Sequence, residues 1–163
     1  MSSTKRWLLD ARCGMDVDLK IRDGKLSDAA ELAALMCELG YETTIAEMES
    51  RLISILNDPR YKTLVALNRD KICGMIGTVS ASSYLHNDLS GRIIALVVSK
   101  ELRQRGIGAR LIAAAEKNFI QRGITRVTLT TRFEREEAHR FYEKVGYART
   151  GFRFAKNLES APR

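Results

Sequence analysis

Nowhere in this 163-residue chain do roughly eighteen apolar residues follow one another, so no segment has the length to cross a bilayer as a helix. The first thirteen residues carry Lys5 and Arg6 but only Trp7-Leu8-Leu9 as an apolar stretch, too short for the centre of an export signal. Cysteine is scarce and odd in number: Cys13, Cys37 and Cys73 stand far apart, and only two histidines accompany them, His86 and His139. That supply all but excludes a structural zinc site, and no metal is expected. Cys37 and Cys73 lie in apolar segments and read as small core residues, which makes a reducing cytoplasm the natural compartment. Proline occurs twice, and no internal repeat or low-complexity stretch is present, which sets aside the disordered and fibrous classes.

What is there has the balance of a soluble globular protein, 45% hydrophobic and 29% charged residues, in a length that suits one core rather than two. The expected organisation is a flexible arm over residues 1–17, a folded domain over 18–158 and a tail over 159–163. The net charge of +7 is unevenly spread. Residues 1–90 hold 11 Lys and Arg against 13 Asp and Glu, whereas residues 91–163 hold 16 against 7. A basic C-terminal half implies an anionic partner there, either nucleic acid or a phosphorylated small molecule.

Periodicity supplies the elements. Leu and Ile alternate with Lys and Arg over Leu19–Arg22, a short strand. Ser27-Asp28 opens a helix whose stripe is Leu32, Leu35, Met36 and Leu39, with Gly40 as its stop. Thr44 and Glu47 form a capping box for a second helix carrying Met48, Leu52, Ile55 and Leu56, which Asp58-Pro59 ends. Thr63–Leu67 and Ile72–Val79 read as a hairpin around Asn68-Arg69-Asp70-Lys71. Arg92–Val98 is almost continuously apolar and is expected to be a central strand covered on both faces. A helix with Leu111, Ile112, Ala115 and Phe119 on one face follows and stops at Gly123; Arg126–Thr131 is again β-rich. Glu136–Val145 is helical with Ala138, Phe141, Tyr142 and Val145 on one side, Gly146 closes it, and Arg149–Lys156 alternates like an edge strand. The order β-α-α-β-β-β-α-β-α-β describes one mixed α/β (α+β) domain.

One turn in that order is built for an anion. At Arg103-Gln104-Arg105-Gly106-Ile107-Gly108 an apolar strand ends and a helix begins, offering unpaired N–H groups and the positive end of a helix dipole. Gly106 and Gly108 let the backbone approach a ligand closely, and Arg103 and Arg105 add charge, so the turn suits a phosphate or pyrophosphate. A dinucleotide fingerprint would need glycine where Leu111 stands, and a P-loop would need Gly-Lys-Ser/Thr, which is absent.

The third pattern, Arg/Gln-x-x-Gly-x-Gly/Ala after a strand, resembles the acyl-CoA signature of the GNAT N-acetyltransferases. Ala138-His139-Arg140-Phe141-Tyr142-Glu143-Lys144-Val145-Gly146-Tyr147 is similar to that family's C-terminal helix motif and lies at the usual distance. The resemblance covers roughly residues 19–158. It implies a GNAT fold with a single mixed sheet of six or seven strands flanked by about four helices, and acetyl-CoA as co-substrate. It places the Leu96 N–H at the thioester carbonyl, Val97 and Val98 along the pantetheine, and the N–H groups from Arg105 to Gly108 and onward at the pyrophosphate. Arg103, Gln104, Ala109, Arg110 and Lys144 belong to the same implied CoA site. Tyr142 matches the tyrosine that protonates the leaving thiolate in many members, a role open to a phenol that is protonated at neutral pH.

The acceptor side departs from the family pattern. Many members carry a glutamate on the central strand, near Arg92 and Ala95, and neither residue here is a carboxylate. The amine's proton would then leave through water, through the amine's own equilibrium, or through His86, Glu38 or Glu42. Cys37-Glu38-Leu39, Gly74-Met75-Ile76-Gly77, Leu85-His86 and the Phe152–Lys156 tail resemble small-amine acetyltransferases, among them those acting on aminoalkylphosphonates and aminoglycosides. A polycationic acceptor would call for Glu38, Glu42, Glu47 and Glu49; an anionic one would call for Arg92 or Arg132. A homodimer is compatible with this reading, which expects no nucleic-acid or membrane partner. The rivals are an acyl-CoA sensor or inactive member of the fold, a protein N-acetyltransferase, and a nucleic-acid-binding module on the basic half; the last lacks a helix-turn-helix or a stacking aromatic run.

Overall fold

A computed structural model describes residues 18–158. The expected arm and tail, with Cys13, lie outside the described residues. The chain divides into two compact units, one running to Leu129 and one beginning at Thr130. The first holds a five-stranded sheet in the order β1-β2-β3-β4-β5. In sequence, β1 (Leu19–Asp23) leads into helices α1 (Ala29–Leu39) and α2 (Ile45–Leu56), then β2 (Tyr61–Asn68), β3 (Lys71–Ala81) and β4 (Ser90–Val98). Helix α3 (Ile107–Gln121) and β5 (Arg126–Leu129) complete the unit. The first four strands are antiparallel neighbours, and β5 returns parallel to β4 through α3, as a crossover helix requires.

The helix ends follow local chemistry. Thr44 Oγ1 accepts the Glu47 N–H at 3.2 Å while the Glu47 carboxylate accepts the Thr44 N–H at 2.8 Å, the expected capping box of α2. Helix α1 ends at Gly40 and α3 just before Gly123, both left-handed, each with the paired C-terminal bonds that such a residue permits. The β2–β3 hairpin turns on Arg69 and Asp70, both left-handed at φ 48° and 64°. Asp28 does not cap α1. Its carboxylate is engaged by the Arg22 guanidinium and by the Lys25 N–H, and no capping bond reaches the helix.

The sheet is packed on both faces. Leu32, Leu35, Met48 and Leu52 from α1 and α2 close over Val65, Leu67, Met75 and Val97. On the other face Leu111, Ile112, Ala115 and Phe119 of α3 are buried, with the Phe119 ring against Gly91, where a Cβ would lie 2.8 Å from it. Cys73 is buried in this core, whereas Cys37 is exposed at the end of α1, contrary to expectation.

Three further expectations are corrected. Strand β4 lies inside the sheet, between β3 and β5, but is not covered on both faces throughout: Arg92 and Ile94 are exposed. Residues 149–156 carry no strand, and among the described residues the sheet has five strands rather than six or seven. Alternation alone cannot make a strand, because backbone N–H and C=O groups need a partner strand. Among the described residues Arg149–Lys156 has none, and Phe152 and Phe154 stand 79% and 92% exposed.

The second unit contains α4 (Glu136–Lys144), closed by left-handed Gly146 with Tyr147 N–H bonded to the Tyr142 carbonyl at 2.9 Å.

Candidate active site

Strand β4 changes face in its middle. Gly91 packs on α3, and regular alternation would put residues 93, 95 and 97 on that same side. Val97 instead joins the α1–α2 core, and Ala95 packs against it. The register explains the switch: Ile93 opposes Thr78 and Ala95 opposes Gly77, so Ile94 is an extra residue without a partner, a β-bulge.

The bulge coincides with the end of pairing to β5. The parallel ladder runs from Ser90 opposite Arg126 to Ile93 opposite Leu129, and β5 stops there. On the other edge, Ser99 N–H bonds to the Cys73 carbonyl at 2.8 Å, which makes this pair, and by alternation the pairs of Val97 with Met75 and Ala95 with Gly77, the hydrogen-bonded ones. Leu96 and Val98 therefore turn their N–H and C=O groups away from β3, into the space where β5 has ended. The Val98 carbonyl accepts the Arg103 Nε–H there at 3.1 Å.

Ten residues on, the chain makes a second set of donors. A single 3₁₀ turn over Lys100–Leu102 leads to Arg103, then Gln104 at φ 60° and Gly106 at φ 76°, both left-handed. Gly106 stands at the N-cap of α3 and has no side chain to offer, and the first bond inside the helix is Arg110 N–H to the Gly106 carbonyl at 3.1 Å. The N–H groups of Ile107, Gly108 and Ala109 have no acceptor within the helix and sit at its positive end. The Ile107 side chain is buried and fixes the helix on the sheet, while Gly108 and Ala109 are partly exposed. Lys100 and Arg105 are exposed beside the turn. Arg110 points elsewhere, one guanidinium nitrogen donating to the Leu19 carbonyl of β1 at 3.1 Å. Glu38, expected near the acceptor, is bonded to the Lys100 N–H at 2.7 Å.

In the second unit Tyr142 is partly buried on α4, its ring edge-on to Phe141 and Tyr147 at centroid distances of 5.3 and 6.2 Å. Burial pushes its phenol above the ordinary tyrosine range, against a smaller lowering by Arg135, so the hydroxyl stays protonated at neutral pH. His139 Nε2–H donates to the Arg132 carbonyl at 2.9 Å, Glu143 pairs with Arg149 at 2.7 Å, and Lys144 is exposed. Among the described residues no group of three or more His, Cys, Asp and Glu side chains is placed to hold a metal ion.

Residues 29–147 match the acetyltransferase (GNAT) family, a span that takes in the bulged strand, the turn and Tyr142. The chain belongs to the GNAT acetyltransferases. It is 33% identical over 140 residues to the aminoalkylphosphonate N-acetyltransferase of Salmonella typhimurium, covering 85% of this chain and 91% of that one. Among solved structures, a GNAT family acetyltransferase of Staphylococcus aureus superposes with a TM-score of 0.75 at 28% identity, over 86% of this chain and 98% of that one. An aminoglycoside N-acetyltransferase solved with CoA shares the fold, with a TM-score of 0.80 at 15% identity over 90% and 98% of the two chains. The protein is thus an acetyl-CoA-dependent acyltransferase with a mixed α/β GNAT fold.

The acceptor candidates of this acetyltransferase lie on different elements. Glu42 is exposed just after α1, and His86 is exposed in the loop over residues 82–89, in a small concavity it shares with Ser82, Ser83 and Asp88. Arg92 is exposed on the sheet face opposite to Gly91 and Ile93. Sequence reasoning missed three features of the site. Nothing in Ile93-Ile94-Ala95 announces a bulge, and the Glu38–Lys100 bond joins residues 62 apart. The left-handed Gln104 had no signal either, because glutamine is not a residue that favours that conformation.

Proposed function

We propose that the enzyme transfers the acetyl group of acetyl-CoA to a primary amine of a small molecule by direct attack, without an acyl-enzyme. The observation that carries this reading is the pairing of two donor sets within Leu96–Ala109: strand N–H groups where β5 ends, and the uncapped start of α3. The first set suits a thioester and pantetheine chain, the second a pyrophosphate. In this reading the Leu96 N–H stabilises the oxyanion that forms when the amine lone pair adds to the thioester carbon. The Val98 N–H orients the pantetheine amides, and the N–H groups of Ile107, Gly108 and Ala109, with Arg105 beside them, hold the pyrophosphate. As the C–S bond breaks, Tyr142 gives its proton to the departing sulfur.

The amine sheds its own proton to water or to a nearby base. Glu38 is a poor candidate for that base, since its carboxylate already holds the Lys100 N–H. His86 and Glu42 remain open to solvent for it. A small acceptor is supported by the relative that acts on aminoalkylphosphonates, and the exposed Arg92 offers a cation to such an anionic amine. The test is release of free CoA thiol with a panel of amines, comparing wild type with Tyr142→Phe. Thiol release matched by acetylated amine, and slowed in the variant, supports the reading. Tight CoA binding with no turnover on any amine would favour a sensor instead.

A further inference from the structure

Helix α1 carries two carboxylates, seven residues apart, that reach off the helix to backbone N–H groups of the sheet's connections. Glu31 Oε2 accepts the Ile72 N–H at 3.0 Å, beside the hairpin turn, and Glu38 Oε2 accepts the Lys100 N–H at 2.7 Å, beyond the end of β4. Seven residues is close to two helical turns, so one face of α1 presents both. The two bonds are alike in chemistry and differ in what they hold.

The Glu38 bond caps the turn that leads into the proposed donor site. Ser99 occupies the N-cap position of the Lys100–Leu102 turn, yet its side chain makes no capping bond. Glu38 supplies the missing acceptor from another element. Ser99 N–H is on the Cys73 carbonyl, Leu102 N–H on the Ser99 carbonyl, and Arg103 Nε on the Val98 carbonyl. With Lys100 on Glu38, four bonds fix the chain between β4 and Arg103. From Arg103 it turns through left-handed Gln104 and Gly106 to the free N–H groups of α3.

We propose that Glu38 is a positioning residue for the acetyl donor: it holds the backbone that sets the pyrophosphate turn, and has no part in acceptor binding. The proposal rests on the donor-site reading above. A turn already held in place binds its ligand without an ordering cost. That advantage is the same in the ground and transition states, so it enters KM for acetyl-CoA and leaves kcat alone.

Glu38→Ala is expected to raise the Kd for CoA and the KM for acetyl-CoA by about tenfold, with kcat and the KM for the amine unchanged. Glu38→Gln keeps an oxygen that accepts the same N–H and is expected to restore most of the affinity. Glu31→Ala loses the matching bond at the hairpin, away from the turn, and is expected to leave both constants at wild-type values. Amide hydrogen exchange reads the contact directly: the Lys100 amide exchanges faster in Glu38→Ala and near the wild-type rate in Glu38→Gln. An unchanged KM in Glu38→Ala, an equal rise in Glu31→Ala, or no rescue by glutamine overturns the proposal. Failure of the wild-type protein to bind CoA would instead overturn the donor-site reading, so the two failures are separable.

Discussion

At Asp28 one carboxylate, only 7% exposed, closes three bonds: two from the Arg22 guanidinium at 2.8 and 2.9 Å and one from the Lys25 N–H at 2.8 Å. The Arg22 hydrogen bond, helped by Lys25, holds its pKa below the usual carboxylate value, against a desolvation that raises it. A carboxyl whose pKa is lowered on folding contributes stability that is present above its unfolded pKa of about 4 and lost as pH falls through the folded value. Asp28→Ala is therefore expected to cost about 2–3 kcal/mol at pH 7, measured by urea denaturation, with the gap to wild type closing at acid pH. Tyr142 has the opposite sign: burial raises its pKa, so the phenol keeps its proton throughout the neutral range. With Tyr142 in its proposed role as general acid, Tyr142→Phe is expected to lower kcat about a hundredfold at neutral pH with little change in CoA affinity. At this scale the place of Tyr142 on a helix closed by Gly146 was legible because its motif is local, whereas the partner of Glu38 was not. Its carboxylate looked available for an amine until the fold brought Lys100 to it from 62 residues away.

Elements were legible where their signals are local. The Thr44–Glu47 box and the Gly40, Gly123 and Gly146 stops sit where the sequence placed them, because caps involve residues three to five apart. The β4 bulge was not legible, since an extra residue is defined only by the register of the opposite strand. The absent last strand has the same cause in reverse: Phe152 and Phe154 alternate correctly, but without a partner strand alternation has nothing to act on. Two changes test this scale. Arg69-Asp70→Asn-Gly puts residues that favour positive φ at both left-handed positions of the hairpin and is expected to stabilise the protein by about 0.5–1 kcal/mol in denaturant titration. Gly108→Glu puts a side-chain anion at the start of α3 and is expected to abolish CoA binding in calorimetry while circular dichroism keeps the wild-type spectrum. Unchanged affinity would place the pyrophosphate elsewhere.

For the whole molecule, the proposed donor site gives the charge asymmetry a use. The basic half contains the proposed donor turn, where a ligand rich in phosphates would account for cations such as Arg105 that stand exposed beside it. DNA is expected to bind weakly, without sequence preference, and to be released as salt rises. The acidic half supplies α1 and α2, which cover the face of the sheet from which Arg92 projects into solvent. The measurement that tests the account most directly is turnover of acetyl-CoA by the wild-type enzyme against aminoalkylphosphonates, aminoglycosides, simple primary amines and peptide N-termini. The account predicts thiol release, equal to acetylated product, with a small primary amine. Acetylation confined to peptide N-termini, or no turnover at all while CoA binds tightly, would contradict it.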